Sequence, residues 1–369
     1  MEKLIFKKLN KDFTSFFLLT LFSITLIIWV IQAVNFLDLV IDDGHSFKIY
    51  FYYSLLNIPK IISKTLPFIF FLSIIYILLN YEGNNQLLIY WNTGITKINF
   101  IKKIVNYSFL YLLLQLMLTS YLVPSSQDFA RSFFKNSNLN LLDGMIREKK
   151  FIATVKNLTI FTMSEEDGKF KYIFLKEKFD KNNYQIINSK TGKILPSNEK
   201  VLELNNGSIL TRNEDGVSEI IFSQTNFNIS KFKTKTVIDT KTRENSTSDL
   251  TKCVYYKILK KNKEKFIFFN CTEGNHKVII ETLYQRLMLP LFIPALALIA
   301  SLIILKSRDE YKFGNYLTKV FLFGVVLIIL TEVCIKYIGM NVLINISLVL
   351  SPFLCFFAIY FYIIRKLQY

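Results

Sequence analysis

Histidine is nearly missing from this chain of 369 residues, which has two, His45 and His276, far apart in sequence. No metal-ligand cluster and no acid–base pair is recognisable from that spacing. The carboxylates Glu165, Glu166 and Asp167 are adjacent in a predicted turn, where they read as a solvated tip rather than a catalytic pair. No glycine-rich phosphate loop ends in Gly-Lys-Ser or Gly-Lys-Thr, so nucleotide hydrolysis by the chain itself is not expected. Cysteine is scarce too: of four, Cys334 and Cys355 fall within apolar runs and read as packing residues. The first apolar run is followed by no small-residue cleavage site and is too long for the core of a signal peptide, so it is expected to persist as an anchor. Together these absences argue against an enzyme and predict no cofactor and no metal.

Long uncharged runs are what the chain has instead. Phe13 to Leu37, Ile104 to Pro124, Leu287 to Leu305 and Asn341 to Ile364 are each long enough to cross a bilayer. Two further candidates are less clean: Thr65 to Asn80 needs Pro59 to Lys64 to reach full length, and Val320 to Met340 carries Glu332 and Lys336. Six transmembrane helices are predicted, three on each side of a polar middle. The formal charge of +17 does not call for nucleic acid, because the basic residues flank the spans. Lys3, Lys7, Lys8 and Lys11, then Lys97, Lys102 and Lys103, then Lys306, Arg308, Lys312 and Lys319, then Arg365 and Lys366 all fall on one side if the spans alternate. That is the positive-inside pattern, which places both termini in the cytoplasm and the polar middle outside it. Leu4, Ile5, Phe6 and Leu9 alternate with lysines, as in a short amphipathic segment at the interface or a plain topogenic flank.

The middle reads as an all-β region between residues 125 and 282. Strands are predicted at Phe151–Val155, Leu158–Met163, Lys171–Leu175, Tyr184–Asn188, Val201–Leu204, Ser208–Thr211 and Glu219–Phe222. Asp143-Gly144 precedes them, and turns are placed at Asp167-Gly168, Thr191-Gly192, Asn206-Gly207 and Asp215-Gly216. Many short strands separated by glycine turns argue for a sandwich or jelly roll. Its open edges could pair with another β-protein, or the region could be a passive insertion. From Asn228 to Thr251 a polar, irregular return is expected. Cys253 and Cys271 pair as a disulfide if the compartment is oxidising. Alternatively, Leu250, Cys253, Val254, Lys257 and Ile258 form a helical face after a Ser248 or Asp249 cap.

Charges beside the membrane stand out. Glu332 and Lys336 are one turn apart in the order that favours an ion pair, and an intramembrane charge costs about 3 kcal/mol on insertion scales. Lys60 and Lys64, also one turn apart, sit at the outer entrance of the second span. Such ammonium groups suit an anionic lipid headgroup; the alternative is an interhelical pair and two snorkelling lysines.

Several motifs in order resemble the lipopolysaccharide export permeases of the LptF/LptG family over essentially the whole chain. Pro59 and Pro67 precede Asn92-Thr93-Gly94-Ile95-Thr96, which is similar to the family's small-small-Gly-apolar-Ser element. Gln86 stands where the family usually has glutamate, with Glu82 one turn earlier. Trp29 to Gly44, with Gln32, Leu37 and Asp43-Gly44, resembles the end of the first helix in the LptF branch, although Ala33, Asn35 and Phe36 replace basic positions found in some members. Pro124 with Phe129, Gly144 with Phe151, and Arg286-Leu287 with Pro290-Leu291 fit later elements, Glu281 being one residue farther from the arginine than the pattern has it. Lys336 aligns with a lysine of LptF-type members that faces the lipid cavity.

The resemblance implies an α-helical membrane protein of six spans (3+3) with an inserted periplasmic β-jellyroll in the bacterial inner membrane. Residues 1–124 would carry spans 1–3, 125–282 the β-jellyroll and its return linker, and 283–369 spans 4–6. Lys336, Lys60 and Lys64 would meet lipid phosphates. Residues about 82 to 97, including Glu82, Gln86, Gly94 and Thr96, would couple to a cytoplasmic, LptB-like ABC ATPase. The other implied partners are a homologous LptG-like permease subunit, a single-span LptC-like jellyroll protein, a soluble LptA-like bridge protein and lipopolysaccharide. The alternatives are a permease for another lipid or lipoprotein, and a membrane sensor or scaffold with a ligand-binding β-domain. The sensor would need a cytoplasmic signalling module, and the loops here are short.

Overall fold

The computed structural model describes residues 2–37, 47–137, 148–149, 151–155, 157–166, 168–179, 183–195, 201–213, 216–228, 242–258, 271, 275–339 and 341–368. Asp43, Gly44, His45, Asp143, Gly144, Asp167 and Asp215, named above, lie outside these. Six helical segments are long and apolar enough to cross a membrane: Glu2–Phe36, Phe47–Gly83, Lys97–Ser132, His276–Leu305, Phe313–Tyr337 and Leu343–Gln368. They are spans 1 to 6. A β-sheet is inserted between the third and the fourth, so the chain is a helical membrane protein with an all-β insertion. By compactness the chain divides into two units, residues 1–30, 56–128 and 240–369 in one and residues 31–55 and 129–239 in the other.

The helices of the first unit pack around span 4. Within that span, α8 (His276–Leu287) gives way to a 3-10 turn (Leu289–Phe292) at Pro290 and resumes as α9 (Ile293–Ser301). Every residue of α9 is buried, which explains why Ile293 to Ser301 is apolar on all sides. In span 1, α1 (Glu2–Phe36) buries Phe6, Leu9, Phe13 and Phe17 and leaves Leu18, Leu19, Phe22, Ile27 and Ile31 exposed. The lysine-flanked start is therefore not a separate interfacial segment. Phe6 packs on Tyr90 and Phe100, with Lys103 over its ring. In span 2, α2 (Phe47–Leu56) precedes α3 (Ile58–Gly83), which takes in the Pro59–Lys64 stretch and reaches full length. A short helix α4 (Gln86–Asn92) leads to α5 (Lys97–Met117). After α5 the backbone widens into a π-turn, Leu118–Leu122, and continues past Pro124 as α6 (Val123–Ser137).

The β-domain is one six-stranded antiparallel meander with strands in chain order: β1 (Phe151–Val155), β2 (Leu158–Glu166), β3 (Lys169–Lys178), β4 (Tyr184–Leu195), β5 (Val201–Asn213) and β6 (Gly216–Asn228). The seven short strands predicted are thus six, mostly longer. Thr191-Gly192 and Asn206-Gly207 are not turns; they lie within β4 and β5. Pairing lapses on one line across the sheet, at Met163 opposite Tyr172, Tyr172 opposite Lys190, Lys190 opposite Asn206 and Asn206 opposite Ser223. Tyr172 and Asn206 have φ of 53° and 54° on that line, a left-handed conformation that turns a strand. Residues on either side of the line share one core: Phe170, Leu202, Leu204 and Phe227 from one side, and Leu158, Ile160, Ile173, Leu175 and Ile187 from the other. A single sheet creased on itself therefore supplies the sandwich-like core that the short strands predicted. Gly207 marks the tightest point, since a Cβ there would lie 2.0 Å from the Asn188 carbonyl oxygen. Of the acidic tip, Glu165 and Glu166 are exposed as expected, with Lys171 Nζ 2.6 Å from Glu166.

After residues 229–241, outside the described set, the return segment forms a 3-10 turn (Thr242–Glu244) and then α7 (Thr247–Ile258). Ser246, two residues before the first predicted cap position, caps the helix by accepting from the Asp249 amide at 3.2 Å. Both readings of the outer cysteines hold. Cys253 lies on α7 and is bonded to Cys271, with their Cα atoms 6.1 Å apart, and α7 packs on α8 through Leu250, Cys253 and Ile279.

Candidate functional site

The predicted residues fall at opposite ends of the helical bundle. In span 5, α10 (Phe313–Tyr337) crosses α3 where Gly324 leaves room for the Phe71 ring; a Cβ at 324 would lie 1.9 Å from it. The helices are antiparallel, because Glu82 near the end of α3 accepts from the Arg308 backbone amide, just before α10, at 3.0 Å. Lys64 and Lys336 thus lie on the same side of the crossing, about 10 and 18 Å along their axes from it at 1.5 Å per residue. Lys60, Lys64 and Lys336 are all exposed. Glu332 and Lys336, also exposed, form no ion pair with each other among the described residues, so the intrahelical pair that their spacing favours is not made.

Sequence reasoning missed a fourth cation at this end. Lys277, exposed in the first turn of α8, lies against Gly339, where a Cβ would be 3.2 Å from the lysine's Cγ. Its backbone is therefore close to a point three residues beyond Lys336. The only signal was a lysine at the head of span 4. The turn after α10 is fixed by the Gly339 amide, which donates to Asn345 Oδ1 at 2.7 Å. Arg286, noted above as a motif element, is buried instead, and its guanidinium holds the return segment through the carbonyl oxygens of Arg243 and Asn245 and the hydroxyl of Thr247.

At the other end, α4 lies between two tight turns. Leu87 and Tyr90 face inward, and Tyr90 donates to the Ile5 carbonyl at 3.2 Å while its ring meets Phe100 edge-on. Burial, aided by the nearby Asp12 and Tyr107, pushes the Tyr90 phenol well above its ordinary pKa, so it stays a neutral donor. Leu88 and Ile89 point outward and are each 53% exposed. Gln86 opens the helix half-exposed. Gly94 has φ +81°, and its amide donates to the Trp91 carbonyl while that of Ile95 returns to Tyr90, which closes α4 in the left-handed conformation that glycine favours. Thr96 caps α5, accepting from the Asn99 amide at 3.3 Å. Glu82 is turned toward the loop before α10, where Arg308 also reaches the Gly83 carbonyl at 3.4 Å. The resulting surface has two outward apolar side chains framed by Asn84, Asn85, Asn92 and Thr93, all exposed. It can receive a protein and carries no reactive group.

A family model described as the lipopolysaccharide export system permease LptF/LptG matches residues 7–366. The chain is also 26% identical over 202 residues to an uncharacterized protein of Rickettsia prowazekii (strain Madrid E), a match covering 53% of this chain and 55% of that protein. That alignment spans about half of the relative's length.

Proposed function

The chain belongs to the LptF/LptG family of lipopolysaccharide export permeases, and from that premise we propose that it is the permease subunit of an ABC transporter that lifts lipopolysaccharide out of the outer leaflet of the inner membrane. The observation that carries this reading is the family match from residue 7 to 366 on a chain of six spans interrupted by a β-sheet. The membrane-facing and partner-facing surfaces agree with it. Spans 1, 5 and 6 each leave most of their apolar surface uncovered, as expected if a second permease and lipid acyl chains cover them. On this reading Lys336, Lys60, Lys64 and Lys277 lie at the rim and attract the phosphates of the lipid, each contributing about 1 kcal/mol near the surface. The LptF branch is preferred on the first helix and Lys336.

Energy is supplied by a separate cytoplasmic ATPase. Its docking face is α4, where Leu88 and Ile89 project from a rigid turn, and Glu82 ties that turn to the loop between spans 4 and 5. The Cys253–Cys271 bond supports placing the return segment in an oxidising compartment, which agrees with a periplasmic β-domain and cytoplasmic termini. The long exposed edge strand β6, with Val217, Ile220 and Ile221 open to solvent, offers a backbone edge to a periplasmic jellyroll partner.

Purification of the tagged protein in mild detergent, followed by mass spectrometry of the proteins and lipids that accompany it, tests the proposal. An ABC ATPase, a second six-span permease and bound lipopolysaccharide are expected. Recovery with a different lipid would change the cargo, and recovery alone would sink the transporter.

A further inference from the structure

A proline within a helix leaves the carbonyl four residues earlier without its amide partner. In a membrane such an oxygen has no water to turn to and is satisfied by neighbouring helices. Four of the seven prolines free an oxygen that a side chain from another helical segment then binds. Pro67 frees Ser63, whose oxygen accepts from Gln115 Nε2 at 2.7 Å. Pro124 frees Ser120, which accepts from the Thr247 hydroxyl at 2.5 Å. Pro290 frees Arg286, which accepts from the Thr119 hydroxyl at 2.8 Å. Pro352 frees Leu348, which accepts from the Tyr284 hydroxyl at 3.3 Å and from Ser351 at 2.7 Å.

These bonds join span 2 to span 3, span 3 to span 4, span 4 to span 6, and the return segment to span 3. The Thr119 hydroxyl also lies 2.9 Å from the Gln115 carbonyl, but that oxygen already receives the Leu118 amide, so the single hydroxyl proton is better used on Arg286. Thr247 is used at both faces, donating to Ser120 and accepting from Arg286 Nη1 at 2.8 Å. The guanidinium also donates to the Asn245 and Arg243 carbonyls, each at 2.9 Å, so a buried charge is held by neutral oxygens of the segment returning from the β-domain. A π-turn widens span 3 where Thr119 and Ser120 sit, a distortion often found at functional positions.

We propose that the proline-freed carbonyls and the side chains that bind them form a coupling joint, tying the ends of spans 2, 3, 4 and 6 to the return segment of the β-domain so that displacement of the spans carries that segment with it. Thr119, Thr247 and Arg286 are its positioning residues. The export consequence rests on the permease reading above; the bonding does not.

Because a proline removes the amide that each oxygen would receive in a continuous helix, satisfaction of the oxygen can be separated from linkage of the helices. Thr119→Val with Thr247→Val removes the two links from span 3 to span 4 and to the return segment, and leaves the Arg286 and Ser120 oxygens bare. Adding Pro124→Ala and Pro290→Ala gives each oxygen an amide on its own helix while the links stay absent. The valine pair is expected to lower the thermal midpoint of the detergent-purified chain, and the four-substitution variant to regain it. Amide exchange under rising urea should show residues 118–122, 242–247 and 284–291 opening as one unit in the wild-type chain, whereas in the compensated variant 118–122 opens separately from the other two, which Arg286 still ties through the Arg243 and Asn245 carbonyls. In the reconstituted complex that variant should hydrolyse ATP while moving lipopolysaccharide about fivefold less or worse, the size of an ordinary coupling.

If the compensated variant recovers stability, joint opening and export together, the bonds only satisfy oxygens and the joint is overturned. Failure to regain the midpoint, or independent opening of the three segments in the wild-type chain, overturns it as well. If the segments open as one while the wild-type complex moves no lipopolysaccharide, the cargo reading fails and the joint stands.

Discussion

Lys336 projects from the last turn of a span with no ion-pair partner among the described residues, which favours a role toward something outside this chain over an internal one. Lys336→Glu is expected to reduce photocrosslinking to lipopolysaccharide about tenfold, since each lysine near an anionic surface contributes about 1 kcal/mol and a reversal removes more than that. The protein's abundance should not change, and undiminished crosslinking in a well-expressed variant would refute the contact. Lys277→Glu is expected to act in the same direction, although that lysine stands next to Lys336's helix only through the tertiary fold. At the opposite end, Leu88→Asp is expected to leave the thermal midpoint in place and to abolish co-purification of the ATPase; retention of the subunit would remove α4 as its dock. Gly94 is a poorer probe, because any other residue there is strained at φ +81° whether or not a partner binds. Of the coupling residues named from motif, Thr96 and Glu82 have structural tasks in the chain itself, a cap and a loop tie. The cap is a local signal, since Thr96 accepts from an amide three residues on, whereas no spacing could reveal the Glu82 tie to an amide in a different loop.

The crease is the element that sequence patterning missed. Thr-Gly and Asn-Gly usually make turns, so Gly192 and Gly207 read as turn residues, yet both lie mid-strand. The glycines are there for close approach: neighbouring backbone and side chains occupy the space of a Cβ, and no local pattern distinguishes that use from a turn. Gly207→Ala is therefore expected to destabilise the β-domain by about 3 kcal/mol, at the upper end of overpacking costs. Loss of amide-exchange protection across β3 to β5 in the full chain would show it, and unchanged protection would show that the crease can relax. The helical hairpin of α7 and α8 offers a second test. Cys253→Ser with Cys271→Ser is expected to lower stability by about 3 kcal/mol for a closure of this length, read as a drop in thermal midpoint that reducing agent reproduces in the wild-type chain.

For the whole molecule, the bond between Glu82 and the Arg308 amide brings the loops after span 2 and before span 5 to one end of the bundle, as alternating spans require. If that end is cytoplasmic, a membrane-impermeant maleimide applied to spheroplasts should label the partly exposed Cys271 after reduction, and a cysteine placed at Asn99 only after lysis. The reverse pattern would invert the topology. The spans and their basic flanks were legible because transfer of apolar side chains out of water and attraction of lysines to the cytoplasmic side act residue by residue, without reference to the fold. The β character of the middle was legible for a similar reason, since alternation and glycine are local. What only the tertiary structure decided were the contacts between residues distant in sequence: the crease, the burial of Arg286, the approach of Lys277 to the end of span 5, and the pairing of each proline-freed oxygen with its donor. A proline states that an oxygen will be free, but packing alone determines which helix supplies the hydrogen.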